Sequence, residues 1–220
     1  MRFLVLGGTG PCGILLIREL LAKYPSETVV VYARSPHKLP SDLSGATYPT
    51  LVIIKGDLTD KEAIEGALEG VDVVLSALGP FFGQPSDTPL AKGYGLVIDA
   101  MEKNGTKRLI ALGTSSIVDP ADKFSLAYSC MINVVKTGAR SAYKDIVAVG
   151  EIIREKGRDL DWTIVRVPIL TNSDNTQIIV GSVGDGKVGT TVSRRAFASF
   201  VVEEVEQRKW VKRAPLITSG

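Results

Sequence analysis

The chain has 220 residues with 45% hydrophobic content, enough for one α/β domain with a substantial core. A formal net charge of +2 gives no argument for a nucleic acid or an anionic membrane as partner. The two cysteines, Cys12 and Cys130, read as reduced thiols rather than a disulfide framework, and residues 208–213, basic around Trp210, read as a solvated helix end.

In chain order, a continuous apolar run at 3–6 reads as a strand buried on both faces. It is too short for a signal peptide or a membrane span, so a soluble cytoplasmic protein with no membrane partner is expected. The run enters Gly7-Gly8-Thr9-Gly10-Pro11-Cys12-Gly13, and a helical pattern follows over about 11–24. Further strand-like runs lie at 28–32, 50–55, 71–76, 108–113 and 163–167, with helical patterns at about 60–69, 86–104 and 142–157. Asp60 stands at an N-cap position and Gly157 at a C-terminal stop. The alternation predicts an α/β fold: a single-domain, Rossmann-type, doubly wound parallel sheet with helices on both faces, spanning residues 1–220. Residues 33–49 read as a loop and 114–141 as a long loop or broken helix. Residues 171–194 are polar, with a short strand at 177–180; a helix at 194–207 and a terminal edge strand at 215–218 follow. Ligands in such sheets bind beyond the carboxyl ends of the strands, so a substrate pocket is expected from loops at about 80–95, 114–141 and 168–194.

Gly8, Gly10 and Gly13 satisfy G-x-G-x-x-G, and Gly7, Gly10 and Gly13 satisfy G-x-x-G-x-x-G. A strand before and a helix after make this loop a phosphate cradle, in which the backbone approaches a diphosphate and the helix N-terminus offers free N–H groups. The alternative is a glycine turn that only packs helix on strand. The second strand ends in Ala33-Arg34-Ser35-Pro36-His37-Lys38, with no carboxylate to bind the 2′-hydroxyl of NAD. Arg34, with Ser35 and Lys38 nearby, suits a 2′-phosphate instead, so NADP(H) is the expected cofactor. His37 is the only histidine and has no Cys or His partners in sequence, so no metal site is expected. After the third strand, Asp57 in Gly56-Asp57-Leu58 either accepts from an adenine amino group or caps the next turn. After the fourth, the small residues and glycine of Ser76-Ala77-Leu78-Gly79-Pro80 let the backbone pass close to ribose and diphosphate. Phe81-Phe82-Gly83 suits stacking on a planar substrate or core filling.

These features, with Leu112-Gly113-Thr114-Ser115-Ser116 and the run from Glu151 through Trp162 to Pro168, resemble an atypical short-chain dehydrogenase of the NmrA-like group. In length and layout the chain is similar to the small NADPH-dependent flavin reductases, also called biliverdin-IXβ reductases. The resemblance covers nearly the whole chain. It implies that Gly8 to Gly13 wrap the diphosphate, Arg34, Ser35 and Lys38 hold the 2′-phosphate, and Asp57 and Leu58 meet adenine. It further implies Leu78 and Gly79 at the ribose, and Thr114, Ser115 and the turn Pro168-Ile169-Leu170 near the nicotinamide.

No tyrosine here has a lysine four residues on, so the Tyr-x-x-x-Lys pair of conventional short-chain dehydrogenases is missing from the sequence. The resemblance implies hydride transfer governed mainly by positioning. Ile146 stands near the place where some flavin reductases carry a histidine. Ser115 is a candidate hydroxyl donor, or equally a turn residue. Tyr143 and Lys144 are candidates at the start of a helix that faces the substrate, although adjacent residues do not share a helix face. Phe124 and Tyr128 line an apolar wall or pack the loop. The expected function is an NADP(H)-dependent oxidoreductase acting on a planar flavin, quinone-like or conjugated carbonyl substrate, as a monomer or weak homodimer. The competing expectations are a redox-sensing NADP-binding regulator without turnover and a non-oxidative enzyme such as an isomerase.

Overall fold

In a computed structural model that describes residues 1–81 and 83–220, the apolar runs form strands whose alternate side chains enter two separate cores. The chain runs β1 (Arg2–Leu6), α1 (Pro11–Lys23), β2 (Thr28–Ala33), β3 (Leu51–Lys55), α2 (Lys61–Ala67), β4 (Val73–Ser76), α3 (Pro89–Asn104) and β5 (Arg108–Thr114). It continues with α4 (Leu126–Gly138), α5 (Arg140–Lys156), β6 (Asp161–Val167), β7 (Ile169–Thr171), β8 (Ile178–Gly181), β9 (Thr191–Ser193), α6 (Arg194–Gln207) and β10 (Leu216–Ser219). Phe3, Val5, Val29, Val31 and Leu75 face α1 and α6. Leu4, Leu6, Val30, Tyr32 and Val74 face α2, α3 and α5. This period-two sorting of wholly apolar strands is what a parallel sheet covered on both faces requires.

The main sheet has the order β3-β2-β1-β4-β5-β6-β10-β8, and β7 and β9 form a separate parallel pair. The expected doubly wound α/β fold is present. Chain order reverses at β1, with β2 and β3 on one side and β4 to β6 on the other. The loops leaving β1 and β4 diverge there and open a crevice at the carboxyl edge.

Four local expectations are corrected. The strand at 215–218 is not an edge: β10 lies between β6, parallel to it, and β8, antiparallel to it, which buries Leu216 and Ile217. Segment 114–141 contains the regular helix α4, in which Tyr128 is the one buried residue. The third long helix begins at Pro89 rather than 86, because the fixed φ of proline suits a first helical position. The three-residue strands β7 and β9 carry too little periodicity to read. Asp60 does cap α2, its carboxylate accepting from the Ala63 N–H at 3.0 Å, and Gly157 does end α5.

The turn after β1 brings α1 against the strand very closely. A Cβ at Gly13 would lie 2.2 Å from the Gly7 carbonyl oxygen, and one at Gly8 would lie 2.7 Å from Val31 Cγ1. Gly7 itself has φ +75° and no room for a side chain beside the Leu78 nitrogen. At Gly10 the nearest atom to a Cβ is the Gly7 oxygen, at 3.5 Å. Protein packing therefore demands glycine at Gly7, Gly8 and Gly13, but not at Gly10.

Two buried arginines fasten the far side of the sheet. Arg108 pairs with Glu204 at 2.8 Å and also donates to Asp161 O and Thr163 Oγ1. Arg166, fully buried in β6, donates to the Ala214 and Ile117 carbonyls and forks onto Asp122 at 2.6 and 2.9 Å. Asp122 also accepts from the Asp119 and Val183 N–H groups, tying the loop after β5 to the loop after β8.

Gly13→Ala should destabilise the fold by about 3 kcal/mol, at the upper end of overpacking costs, while Gly10→Ala leaves stability near wild type; urea denaturation of both variants checks this. The Asp122 carboxyl is pushed up by burial, but the Arg166 guanidinium and the Asp119 and Val183 N–H groups outweigh that and hold it below the ordinary carboxylate range. A folded pKa below the unfolded one contributes stability that is complete above the unfolded value of about 4 and is lost as pH falls through the folded value. Asp122→Asn, which strands Arg166, should cost about 3 kcal/mol near neutral pH, and the gap to wild type should close in acid. A gap that stays constant across the same denaturation series would remove this account of the pair.

Candidate functional site

A cavity of about 280 Å³ opens at the crevice between the carboxyl ends of β1 to β4. Leu6, Gly7 and Thr9 form its floor. Tyr32 to Ser35 and Lys38 form one wall, Gly56 to Thr59 a second, and Leu78, Gly79, Phe81, Gln84, Pro89 and Leu90 the third. Of the residues picked out in sequence, Gly7, Thr9, Arg34, Ser35, Lys38, Asp57, Leu58, Leu78 and Gly79 therefore share one cavity. Arg34 and Lys38 are exposed at its rim, close in chain to a short 3-10 turn over Pro36–Lys38.

Gly8, Gly10, Pro11, Cys12 and Gly13 lie behind this floor, at the start of α1. Gly8 and Gly13 serve packing, as described. Gly10 is the N-cap of α1, with no side-chain cap, Pro11 at the first helical position and no carboxylate in the first turn. The opening N–H groups of α1 are thus kept free of competing acid, and the space a Cβ would fill at Gly10 is open. That combination fits a bound diphosphate, whose charge complements the positive end of the helix. Cys12 is buried and Cys130 exposed, and both are free thiols.

One wall of the cavity is built by Tyr32. Its hydroxyl donates to the Asp57 carbonyl at 2.8 Å, and its ring fills the space that a Cβ at Gly56 would need. Burial, then the charges of Asp60 and Asp57, pushes the Tyr32 pKa up to about 12, so it stays a hydrogen-bond donor throughout the neutral range. Of the two readings of Asp57, the turn cap is present. Its Oδ1 accepts from the Thr59 N–H and hydroxyl at 3.0 and 2.9 Å, capping the turn, while the residue also lines the cavity.

Phe81 is 58% exposed and lines the cavity, which removes core filling for that residue; Phe82 lies outside the described residues. Gln84, unpicked in sequence, accepts from the Phe81 N–H and donates to Asp145 Oδ2 at 2.6 Å. Asp145, fully buried on α5, also accepts from the N–H groups of Leu90 and Ala91. It caps α3 from another helix, because Thr88, at φ 55°, turns its own hydroxyl onto Asp87 O. No sequence signal marks this, because Ser86, Asp87 and Thr88 before Pro89 are all residue types that cap helices.

The proposed catalytic residues do not line this cavity. Ser115 is buried within a tight turn in which the Ile117 N–H bonds Thr114 O, and Thr114 closes β5. Tyr143 lies under Lys136, with Nζ 5.8 Å from the ring centre, and Lys144 is exposed. Pro168, Ile169 and Leu170 follow β6 and enter β7, at the same carboxyl edge as Thr114 and Ser115. Tyr128 packs with Val183 and Leu216 and donates to the Gly189 carbonyl, whereas Phe124 is 83% exposed. His37 is exposed, and among the described residues no cluster of metal-ligating side chains occurs. Nor is any described helix long and apolar enough to cross a membrane.

Comparison with known proteins agrees with this fold. A UDP-N-acetylglucosamine 4,6-dehydratase (inverting) from Campylobacter jejuni is 29% identical over 135 residues, covering 56% of this chain and 39% of the dehydratase. The chain thus spans well under half the length of that relative. A short-chain dehydrogenase/reductase (wide type) from Veillonella parvula, solved in complex with NADP, has the same fold at a TM-score of 0.78 and 15% identity, covering 99% of this chain and 94% of that one. So does ChuY, an anaerobillin reductase from Escherichia coli O157:H7, at a TM-score of 0.77 and 16% identity, covering 100% and 97%. The family model described as NAD(P)H-binding matches residues 7–208, from the glycine loop through the end of α6, and the chain belongs to that NAD(P)H-binding family.

Proposed function

We propose that this protein is an NADP(H)-dependent oxidoreductase of the atypical, NmrA-like short-chain dehydrogenase type, passing hydride to a planar flavin, quinone-like or conjugated carbonyl substrate. One observation carries the cofactor choice. The rim of the cavity at the end of β2 holds Arg34, Ser35 and Lys38 and no carboxylate. A guanidinium forks onto a phosphate with two charge-assisted hydrogen bonds, whereas a carboxylate there would repel it. The reductase name of ChuY supports the reaction class by analogy of fold alone.

In this reading the free N–H groups of α1 hold the diphosphate and Arg34 grips the 2′-phosphate. Tyr32, Leu58 and Leu90 enclose the base, and Phe81 offers a partly exposed ring to a flat partner. A bound nicotinamide supplies or accepts the hydride. Thr114, Ser115 and the turn Pro168-Ile169-Leu170 flank its half of the crevice. Ser115 is the hydroxyl candidate for proton delivery, and Tyr143 and Lys144 stand outside the cavity on α5. The acceptor is a small molecule, with neither nucleic acid nor membrane involved, and the chain works as a monomer or weak homodimer. The similarity to a dehydratase favours a second reading, in which the same cofactor serves a reaction with no net redox change.

Arg34→Ala should weaken NADPH binding by about tenfold or more, the scale of a lost charge-assisted pair, and NADH binding far less. Calorimetric titration of both cofactors checks this, and equal losses would withdraw the assignment of Arg34. NADPH oxidation against flavin mononucleotide, small quinones and aldehydes separates the reductase from the non-oxidative reading, which predicts product without cofactor consumption. In the same assay Ser115→Ala should lower kcat by about a hundredfold if its hydroxyl delivers the proton, and an unchanged kcat removes it from the chemistry.

A further inference from the structure

Beside the glycine loop stands a cation that no carboxylate neutralises. α1 and α6 pack side by side in one core, and both begin at the carboxyl edge of the sheet. Arg194 is the first residue of α6, which Ser193 caps by accepting from the Ala196 N–H at 2.9 Å. Its guanidinium donates from Nη1 to Asn172 Oδ1 at 2.7 Å and reaches Leu170 O at 3.4 Å. It also lies beside Cys12 in the first turn of α1, where its charge opposes the larger upward push that burial gives the thiol.

All these partners are neutral. Among the described residues no carboxylate pairs with Arg194, although its neighbour Arg195 pairs with Asp174 at 2.8 Å. Arg194 is only partly exposed. The start of α1 shows the same imbalance, with free N–H groups and no acid in the first turn. Two uncompensated positive groups side by side select an anion with oxygens on more than one face.

We propose that Arg194 is a cofactor-binding residue that grips the dinucleotide diphosphate alongside the α1 N-terminus. Asn172 and the Leu170 carbonyl hold one Nη in place and leave the rest of the fork for phosphate oxygens. The inference rests on the dinucleotide reading of the site. It also divides the labour between two arginines. Arg34 faces a group that only NADP(H) carries and gives selectivity, while Arg194 faces a group common to NAD(H) and NADP(H) and gives affinity without selectivity.

The test is calorimetric binding of NADPH, NADH and adenosine 2′-monophosphate to the wild type, Arg194→Ala and Arg194→Lys. The monophosphate keeps the 2′-phosphate but carries no phosphate at the 5′ position. Arg194→Ala should weaken both dinucleotides by about tenfold or more and by the same factor, leaving the monophosphate within about twofold, with Arg194→Lys in between. Unchanged dinucleotide affinities overturn the proposal, as does an equal loss for all three ligands, which marks a merely structural residue. A raised KM for flavin mononucleotide with unchanged dinucleotide binding assigns the guanidinium to a substrate anion and overturns it as well. If the wild type itself binds neither dinucleotide, it is the underlying cofactor reading that fails.

Discussion

The structure turns on how closely α1 passes the turn that leaves β1. With hydrogen alone at Gly13, the first turn of the helix rests against the Gly7 carbonyl, and with hydrogen alone at Gly8 the loop rests on Val31 and Ile17. This contact fixes where the helix N-terminus points. The reversal of strand order at β1 supplies the crevice it points into. A helix displaced by the width of a methyl group would still pack its apolar face. It would no longer present its N–H groups at the distance a phosphate needs.

Around that fixed point the charges are distributed by exclusion as much as by attraction. The first turn of α1 has no acid, the tip of β2 has a guanidinium where an NAD-binding site would place a carboxylate, and Asp57 has one oxygen occupied by its own turn. The buried ion pairs, Arg108 with Glu204 and Arg166 with Asp122, stand away from the cavity, while buried Asp145 at the cavity wall is held by neutral donors alone. Positive charge without a carboxylate partner among the described residues thus stands at the carboxyl edge of the sheet, at Arg34, Lys38 and Arg194. Such an arrangement raises the local concentration of an anionic ligand before any contact forms.

The sequence made the cofactor half legible because each feature there has a local cause. Buried parallel strands are continuous apolar runs, packing imposes glycine at Gly7, Gly8 and Gly13, and Arg34 sits one residue past the end of β2. The other half depends on contacts between distant segments. β10 resembled an edge strand because it comes last, and only the return of β8 against it shows otherwise. α4 exposes Leu126 and Val134, so its apolar residues mark no inward face. Asp145 looks like one more polar residue of α5 until the missing cap of α3 explains it. Arg194 sat in a basic pair, and nothing local distinguished it from Arg195, which pairs with Asp174.

The cap that Asp145 supplies to α3 makes order in the cavity wall a property of three segments at once. Gln84, the start of α3 and the middle of α5 share a single carboxylate. α3 cannot keep its first turn satisfied if α5 withdraws, and the loop bearing Phe81 loses its anchor at the same moment. Opening of this wall is therefore a cooperative event of long reach rather than the fraying of a surface loop. A ligand that settles against Phe81 and Gln84 slows amide hydrogen exchange in a helix it never touches.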